Sequence, residues 1–358
     1  MRIYFVDSGL RGCYTVRCLL PLIENGWDGD VTSLIQTTEK TPEQKKDGVI
    51  NADIVVFHRP EHPDKLKLAR YLKQIGKKIV FDNDDTYKDN EQVKLNKYMN
   101  KERVDRGLKA INEQIDLFIK EADLVTASTE FLAEEYRKLH DKVIVLPNCV
   151  DPFLFDEPIR NEGDKVRIGI TGSVGLTSDL DILKPIIEHY QEDPRVQIVF
   201  FSLHNKNDQT KMVREIYVGE YEILESFKNI EWHPLVPAHE YYDKLNSLAL
   251  DIQIIPRVDT YFNKCKSNLK FLESSMFEIP VVAQGFKDCN SPYQGKDEPY
   301  LLIANNTEEF ITQIDKLITD KELRREMGRK AREYVEKEYS IENNAHLWEE
   351  AYQTIYEK

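Results

Sequence analysis

The stretch NKCKSNLKFLESSMFEIPVVA, residues 263–283, combines side-chain types and a spacing that suit anion binding. Lys266, Lys270 and Glu273 recur at i, i+4 and i+7, which places them on one face of a predicted helix. Ser267 is the predicted N-cap, so free backbone N–H groups would lie beside both lysines. Such a helix N-terminus attracts phosphate, and Glu273, one turn deeper, is placed to accept hydrogen bonds from a sugar hydroxyl. The local pattern also fits a solvated helix face with ordinary ion pairing.

Apolar residues on a second face of the same helix must hold it in place. Leu269, Leu272 and Met276 recur at i, i+3 and i+7, and Pro280 stops the helix before a short apolar strand at 281–283. The predicted order is therefore loop, helix and buried strand, which is a repeating unit of parallel sheets.

The same alternation runs along the whole chain. Strand-like runs in the first half are RIYFVD, ADIVVFHRP, KKIVFDNDD, ADLVTAST and KVIVLPN. A proline- and charge-rich linker, DPFLFDEPIRNEGDK, precedes a second series: VRIGITGS, VQIVFFS, IEWHPL, LDIQIIP and IPVVAQ. The sequence therefore predicts an α/β protein with two Rossmann-like doubly wound domains, residues 1–155 and 156–358, which face each other across a cleft.

Polar side chains follow the strand ends of the first half. Ligands of doubly wound sheets bind beyond the carboxyl ends of the strands, and clefts between domains favour binding sites. The side chains expected to line the cleft are Arg11, Arg17, His58, Arg59, Asp84 and Asp85. His58 also fits a polar strand-end residue before a turn, without a function.

The second half places further residues at its own strand ends. Gly172 and Ser173 follow VRIGIT, Arg257 follows LDIQIIP, and Asn263 opens the loop before the two lysines. GITGSVG lacks the G-x-G-x-x-G spacing of dinucleotide-binding sites, so an NAD-dependent oxidoreductase fits poorly. The sequence also contains no P-loop motif and no G-x-S-x-G hydrolase motif.

The run FDNDD contains three carboxylates, Asp82, Asp84 and Asp85. Clustered carboxylates can hold Mg²⁺ or Mn²⁺, hydrogen-bond a polar acceptor, or cap the following helix. Neighbouring residues of one loop rarely all face one ion, so we expect no metal site.

The composition limits the class of protein. The chain has 358 residues, 41% of them hydrophobic and 31% charged, which is typical of soluble globular proteins. No apolar run approaches transmembrane length, the N-terminus lacks the form of a signal peptide, and the five scattered cysteines form no C-x-x-C pair. We therefore expect a cytoplasmic protein. The net charge of −14 disfavours bulk nucleic-acid binding.

One basic stretch departs from this acidic balance. It consists of Lys94, Lys97, Lys101, Arg103, Arg106 and Lys109, interrupted by Glu102 and Asp105. A lysine near an anionic surface contributes about 1 kcal/mol, so a few of them allow transient docking at the inner face of a membrane. The stretch predicts a contact for an anionic acceptor or for the inner membrane, unless it is simply a solvated helix face.

Segments of the second half resemble the donor-binding domain of GT-B glycosyltransferases, in particular the bacterial and phage-type enzymes of the "glycosyl transferases group 1" (family 4-like) set. These segments are VRIGITGSVGLTSDLDIL, IEWHPLVPAHEYYDKLNSLALDIQIIPRVDTYFNKCKSNLKFLESSMFEIPVVA and YLLIANNTEEFITQIDKLITDKELRREMGRKAREYVEKEYS. ADIVVFHRP and KKIVFDNDD resemble the first domain more loosely. The resemblance implies an acceptor-binding N-terminal domain and a C-terminal domain that binds a nucleotide-sugar. It also implies a last helix, about 341–357, that crosses back onto the N-terminal domain.

The resemblance implies roles for single residues. Lys266, Ser267 and Lys270 would bind the donor diphosphate, and Glu273 would contact the ribose as the second glutamate of the E-x7-E motif. The strand-end positions add the other predicted residues: Gly172, Ser173, Arg257 and Asn263 for the donor; Arg11, Arg17, His58, Arg59, Asp84 and Asp85 for the acceptor; and, as catalytic residues, His58, Asp84 and Asp85 together with Lys266. Two positions depart from the family pattern, because Cys265 replaces the first glutamate and Glu278 replaces a small residue.

The expected function is transfer of a hexose from a nucleotide-diphosphate sugar to an acceptor hydroxyl, in glycan or surface polysaccharide synthesis. Lysines and helix N–H groups stabilise a leaving diphosphate without a metal, so we expect no cofactor besides the nucleotide-sugar co-substrate. The family implies retention of the anomeric configuration. The acceptor could be a glycan, a lipid-linked sugar or another hydroxyl compound. The alternatives are an inactive nucleotide- or sugar-binding module of the same fold and a phage glycosyltransferase that acts on modified DNA.

Overall fold

Two parallel β-sheets form the centre of the computed structural model, which describes residues 1–6, 12–27, 42–86, 101–172, 179–201, 223, 226–234 and 236–356. The strands are β1 (Ile3–Val6), β2 (Ile54–His58), β3 (Lys78–Asn83), β4 (Leu124–Ala127), β5 (Val143–Val145), β6 (Val166–Thr171), β7 (Val196–Phe201), β8 (Ile230–His233), β9 (Ile252–Ile255), β10 (Val281–Gln284) and β11 (Leu302–Ala304). The predicted α/β architecture is confirmed. The predicted domain boundary at 155/156 falls in the segment between β5 and β6. Its exact position stays a prediction.

The first sheet has the strand order β1-β2-β3-β4-β5, and its neighbouring strands are parallel. β2 and β3 are buried almost throughout, as expected for central parallel strands rich in Val, Ile and Phe. All five carboxyl ends lie at one edge of the sheet. His58 and Asn83 are the last residues of β2 and β3 at this edge.

The second sheet has the order β11-β10-β9-β6-β7-β8, again with parallel pairs. When β6 is counted as strand 1 and the sheet is read from β8 to β11, the order is 3-2-1-4-5-6. This is the strand order of nucleotide-binding doubly wound sheets. The order reverses between β6 and β9, and ligands of such sheets bind in the crevice at the reversal. A ligand site is therefore expected where β6 ends at Thr171 and β9 ends at Ile255.

Helices cover the faces of both sheets. In the first half they are α1 (Gly12–Tyr14), a π-helical turn (Thr15–Leu19), α2 (Leu20–Glu24), α3 (Pro42–Asn51), α4 (Pro63–Gln74), α5 (Lys101–Glu121) and α6 (Glu130–Arg137). In the second half they are α7 (Leu180–Tyr190), α8 (Tyr241–Ser247), α9 (Tyr261–Lys264), α10 (Leu269–Met276), α11 (Thr307–Thr319), α12 (Lys321–Tyr339) and α13 (Ile341–Tyr356). Short 3₁₀ helices occupy Pro152–Leu154, Ala238–Glu240 and Glu298–Tyr300. None of the helices in the described ranges is long and apolar enough to cross a membrane.

The chain crosses between the two halves at residues 150 and 340. Two backbone hydrogen bonds join the crossings: Val150 N–H donates to the Tyr339 oxygen over 2.9 Å, and Ile341 N–H donates to the Val150 oxygen over 2.8 Å. α13 then packs on the first sheet through the fully buried Trp348 and Tyr352. The prediction of a last helix that returns to the N-terminal half is confirmed.

Glu278, one of the two departures from the family pattern, adopts a left-handed backbone with φ of +53°. Glycine takes this conformation freely, whereas another residue costs on the order of 1 kcal/mol. The site is also crowded, because a Cβ on Gly328 of α12 would lie 1.9 Å from the Glu278 carbonyl oxygen. The Glu278 carboxylate pairs with Arg160 of the linker between the halves, which gives an acid at this position a structural use.

Candidate active site

Asp82, near the carboxyl end of β3, is the centre of a buried polar cluster in the first half. Its carboxylate accepts hydrogen bonds from Arg17 Nε at 3.2 Å, from His58 Nδ1 at 2.9 Å and from Thr126 Oγ1 at 2.6 Å. The sheet register produces this cluster, because Asp82 is the parallel partner of His58 on β2 and of Thr126 on β4. We call these four side chains the Asp82 cluster.

The charges of the Asp82 cluster compensate one another. Burial raises the pKa of Asp82, but the Arg17 guanidinium and the His58 hydrogen bond outweigh this and hold it well below its usual value. Burial also acts to lower the pKa of Arg17, which Asp82 nevertheless raises. The ionised carboxylate accepts a hydrogen bond from Nδ1 of His58, so in the neutral imidazole the other ring nitrogen, Nε2, is the hydrogen-bond acceptor. Asp82 thus fixes both the orientation and the tautomer of His58.

The structure corrects the prediction that Arg17 contacts an acceptor. Its guanidinium has no exposed area, and its nitrogens donate to Asp82, to the Leu146 carbonyl oxygen and to Asn148 Oδ1. Arg17 can therefore position Asp82 but cannot reach a ligand in the cleft. The π-helical turn that carries Arg17 is buried throughout. Its sequence, TVRCL, indicates this burial only through the apolar residues on either side of the arginine.

Asp84 and Asp85 follow β3, with Arg59 beside both. Arg59 Nε lies 3.4 Å from Asp84 Oδ1, and Arg59 Nη2 lies 3.1 Å from Asp85 Oδ2. Arg59 has φ of +48°, a conformation that non-glycine residues rarely adopt and that often marks functional sites. The structure thus brings His58, Arg59, Asp84 and Asp85 together at one sheet edge, while their roles toward an acceptor stay predictions.

The start of α10 lies opposite this edge, in the second half. The prediction that Ser267 caps the helix is wrong: the N-cap residue is Asn268, without a side-chain cap. Asn268 Nδ2 instead donates to Asp297 Oδ2 over 2.6 Å, and the Ser267 hydroxyl accepts a hydrogen bond from Asn148 Nδ2 at 2.8 Å. Both side chains therefore form hydrogen bonds with residues far away in the chain, and the local sequence does not specify such partners.

Lys270 and Glu273 lie one turn apart on α10, next to the end of β6. The Lys270 ammonium donates to the Thr171 carbonyl oxygen, and the Tyr241 hydroxyl donates to Glu273 Oε2 over 3.4 Å. Burial lowers the pKa of Lys270 to about 7, and the positive charge of Arg257 acts in the same direction. Burial raises the pKa of Glu273 to about 7, although the Lys270 charge opposes this. Because an anion would favour the charged form of Lys270, this group of side chains suits a negatively charged ligand.

Arg257 and Asp179 form a buried ion pair at the reversal of the strand order. Arg257 Nη1 lies 2.8 Å from Asp179 Oδ2, and the Val258 N–H donates to Asp179 Oδ1 over 2.9 Å. Sequence reasoning missed Asp179. Its signal was an acid immediately before α7, a pattern that usually indicates a helix cap, but its side chain makes no cap hydrogen bond and holds Arg257 instead.

Two other predicted donor residues belong to the scaffold around this pair. The Gly172 N–H, just after β6, donates to the Phe201 carbonyl oxygen over 3.1 Å. Asn263 is buried, and its Nδ2 donates to the Val258 carbonyl oxygen over 2.9 Å. Both residues therefore fix strand-end loops, and direct contact with a donor stays a prediction for each.

Cys265 occupies the position of the first glutamate in the family motif. Its side chain is fully buried in the hydrophobic cluster of the first half that includes Leu132 and Tyr136. Burial raises the pKa of the thiol. Position 265 is therefore a packing position in this chain and does not face a sugar.

Three consecutive residues before α10 contact the first half of the chain. They do so through two hydrogen bonds and one ion pair: Thr129 Oγ1 to the Cys265 carbonyl oxygen at 3.3 Å, Asn148 Nδ2 to Ser267 Oγ at 2.8 Å, and Lys266 Nζ to both Asp85 oxygens at 3.2 Å. The two walls of the cleft thus meet at Lys266.

Some predicted residues lie outside the part of the chain that the structure describes. These are Arg11, Ser173, Lys94 and Lys97, together with the side chains of Lys101, Arg103 and Arg106. Lys109 is exposed and lies 3.9 Å from Glu113 one turn further on, an arrangement typical of a solvated helix face.

Within the described ranges, no group of three or more His, Cys, Asp or Glu side chains is arranged to hold a metal ion. The carboxylates of FDNDD are engaged with cations of the protein, Asp82 with Arg17 and Asp85 with Arg59 and Lys266. Independence of metal stays a prediction.

Comparison with known families and solved structures adds to this geometry. Residues 187–350 match the model of the family described as "Glycosyl transferase-like". Sucrose-phosphate synthase from Thermosynechococcus elongatus superposes with a TM-score of 0.64 at 12% identity, over 99% of each chain. The chain has the GT-B fold. HepE from Anabaena, solved with UDP and glucose, shares this GT-B architecture with a TM-score of 0.64 at 11% identity, over 99% of each chain.

Two further GT-B structures differ in how much of them the chain covers. An alpha-glucosyltransferase solved with UDP and a 13-mer DNA containing a HMU base matches over 100% of both chains, with a TM-score of 0.63 and 13% identity. TarM from S. aureus, solved as a mutant in complex with UDP, matches with a TM-score of 0.56 and 16% identity, but the chain spans only 55% of its length. No curated protein sequence matches the chain. At these identities the structures establish the fold, and the activity has to be argued from the site.

Proposed function

We propose that this GT-B protein transfers a sugar from a nucleotide-diphosphate sugar to an acceptor hydroxyl. The proposal depends on one observation: Arg257 and Lys270 lie at the strand-order reversal of the second half, and the charge of Lys266 acts on Lys270. A doubly wound sheet binds nucleotides at this place. Cations there would stabilise the negative charge that a diphosphate gains as it leaves.

The donor-side residues have distinct proposed tasks. Lys266 and Lys270 bind the diphosphate, and Asp179 keeps the Arg257 guanidinium directed at it. Tyr241 donates a hydrogen bond to Glu273, so that the carboxylate is oriented to accept one from a ribose hydroxyl. Lys270, with its pKa of about 7, takes up a proton when the diphosphate binds.

On the acceptor side, His58, whose side chain is 1% exposed, is the proposed contact for a hydroxyl of the acceptor next to the reacting one, so that the reacting hydroxyl keeps its proton for the leaving oxygen. Its Nε2 is the free acceptor of the imidazole, because Nδ1 donates to Asp82. The acceptor oxygen forms a bond to the anomeric carbon while the bond to the diphosphate breaks and its electron pair stays with the leaving oxygen. The acceptor proton passes to that oxygen on the same face of the sugar, so the configuration is retained and no covalent intermediate forms.

The donor and acceptor can be proposed by class. UDP is bound in the structures of HepE, of the alpha-glucosyltransferase and of TarM, which makes a UDP-hexose the first donor to test. A glycan or lipid-linked hydroxyl is the proposed acceptor, in polysaccharide synthesis in the cytoplasm or at the inner membrane face. This proposal includes metal independence.

Modified DNA is the second candidate acceptor, favoured by the full-length match to the alpha-glucosyltransferase that was solved with DNA. The net charge of −14 weighs against it, because binding to phosphate backbones depends on clustered cations. Retention on a DNA column at low salt, lost as salt is raised, would support this candidate. A chain that passes through the column would exclude it.

The test of the main proposal is release of nucleotide. The protein is incubated with UDP-, GDP- and TDP-sugars together with a panel of glycan and lipid-linked acceptors, and free nucleoside diphosphate is measured. Acceptor-dependent release from one donor is the expected result. If a nucleotide-sugar binds and no acceptor causes release of the nucleoside diphosphate, the result would favour an inactive binding module. The buried Cys265 in place of the motif glutamate is the feature of the chain that supports this alternative.

A further inference from the structure

The Lys266 ammonium, assigned above to the donor diphosphate, is engaged by an acid of the opposite half. Its Nζ lies 3.2 Å from both carboxylate oxygens of Asp85 and 4.1 Å from the centroid of the Phe262 ring. The side chains of Lys266 and Asp85 are 24% and 15% exposed, so this pair is less screened by solvent than a surface pair. Two oxygens of one anionic group on one ammonium are also what a phosphate would provide.

Asp85 has a second cation within reach. Arg59 Nη2 lies 3.1 Å from Asp85 Oδ2, on the first half of the molecule. The Asp85 backbone is held as well, because its carbonyl oxygen accepts hydrogen bonds from Asn83 Nδ2 at 2.6 Å and from the Tyr136 hydroxyl at 3.3 Å. The carboxylate can therefore leave Lys266 by a side-chain rotation and stay paired with Arg59.

The lysine is held in the same way. Its neighbours in sequence are fixed to the first half, Cys265 through Thr129 and Ser267 through Asn148. Lys266 consequently stays beside Asp85, and exchange of its partner needs no separation of the two halves.

We propose that Asp85 competes with the donor diphosphate for Lys266 and returns to the lysine after transfer, which promotes release of the nucleoside diphosphate. This inference rests on the proposed donor site and adds a task for a residue of the acceptor-side wall. Product release limits turnover in many enzymes whose sites close on the ligand. A carboxylate that displaces the nucleoside diphosphate from Lys266 would speed up this step.

The competition has a measurable size. If the ion pair occupies Lys266 for about nine tenths of the time, apparent nucleotide affinity is lowered about tenfold relative to a free lysine. Asp85→Asn keeps the shape of the side chain and removes its charge. We expect this variant to bind UDP about tenfold more tightly in calorimetric titration, with slower dissociation in stopped-flow measurements. A residue that only supported the fold or bound the donor would give weaker binding instead.

Three further single variants and one double variant separate competition from other effects. Asp84→Asn removes a neighbouring carboxylate that lies beside Arg59, and it should tighten binding far less, which controls for general electrostatics. Asp85→Glu keeps the charge and should keep affinity near that of the wild type. Lys266→Met should weaken binding, and adding Asp85→Asn to it should then produce no gain. Thermal unfolding confirms that each variant is folded.

The outcomes distinguish this inference from the donor site itself. UDP is the first probe, followed by GDP and TDP. If none of them binds, or if Lys266→Met leaves binding unchanged, the donor-site assignment and the inference both fail. If a nucleotide binds through Lys266 and Asp85→Asn leaves its affinity unchanged or weaker, competition by Asp85 is overturned while the donor site stands.

Discussion

The two walls of the cleft use charged residues in opposite ways. In the first half, Asp82 accepts hydrogen bonds from Arg17, His58 and Thr126, and its pKa is held far below the usual range because Arg17 and His58 together outweigh the effect of burial. In the second half, burial brings Lys270 to a pKa of about 7, so the site disfavours its charge. Asp82 is compensated by cations of its own wall, whereas the Lys270 ammonium has no hydrogen bond to a carboxylate among the described residues, and a ligand can supply that negative charge.

This difference indicates that the first wall has a structural role and that the second wall binds the ligand. A buried, fully paired network is rigid, and here it serves to orient one imidazole. A buried cation without an equal counter-ion costs stability and is typical of positions that bind anions. The comparison therefore predicts that stability depends on the first wall and ligand affinity on the second.

The largest effect is expected from Arg17→Met. The substitution leaves Asp82 buried without its cation, and breaking one partner of a buried pair costs about 3–5 kcal/mol. Chemical denaturation should show this loss directly. Lys270→Met, which removes a cation whose charge the site disfavours, should cost clearly less. Equal losses in both variants would remove the distinction between the walls.

The next effect concerns pH. Lys270 has a pKa of about 7 in the free protein, and a bound diphosphate favours its charged form, so binding takes up a proton. Nucleotide affinity should then fall as pH rises through 7, by up to about tenfold per unit for one proton.

Calorimetric titrations between about pH 6.5 and 8.5 test this dependence in a range where the nucleotide phosphates are largely ionised. Lys270→Met should show a flatter profile than the wild type. An affinity that is constant in the wild type, or that rises with pH, would contradict the proposed contact between Lys270 and the diphosphate.

The smallest expected effect is that of chelation. If protein cations alone neutralise the diphosphate, EDTA should leave transfer activity unchanged. Activity that disappears with EDTA and returns with Mg²⁺ or Mn²⁺ would contradict this. Asp82, Asp84 and Asp85 would then be the first candidates for the ligands.

Local sequence patterns predicted most of the architecture. The alternation of strands and helices predicted two doubly wound halves. Lys266, Lys270 and Glu273 could be singled out because helical spacing alone places them on one face. These features depend on residues close in sequence, which is why a single sequence reveals them.

The remaining parts of the site depend on partners far away in the chain. Arg17 meets an acid 65 residues further on, Ser267 is bound by Asn148 instead of capping α10, and Asp179 pairs with an arginine 78 residues away. Cys265 is explained only by the hydrophobic cluster of the other half. No local pattern specifies such pairings, because they follow from how the two sheets are packed.

The central claim is that the donor diphosphate binds at Lys266, and the nearby Lys264, the last residue of α9, allows a direct test. Lys264 is the matched control, because its ammonium lies 2.9 Å from Asp259 and also contacts Asp288, neither of which belongs to the proposed site. UDP affinity and the kcat of sugar transfer are measured for Lys266→Ala and Lys264→Ala, with folding checked by thermal unfolding. Lys266→Ala should weaken UDP binding and lower kcat roughly 100-fold, as expected for loss of a charge that stabilises the transition state, while Lys264→Ala should match the wild type. A folded Lys266→Ala variant with unchanged affinity and kcat would contradict the account.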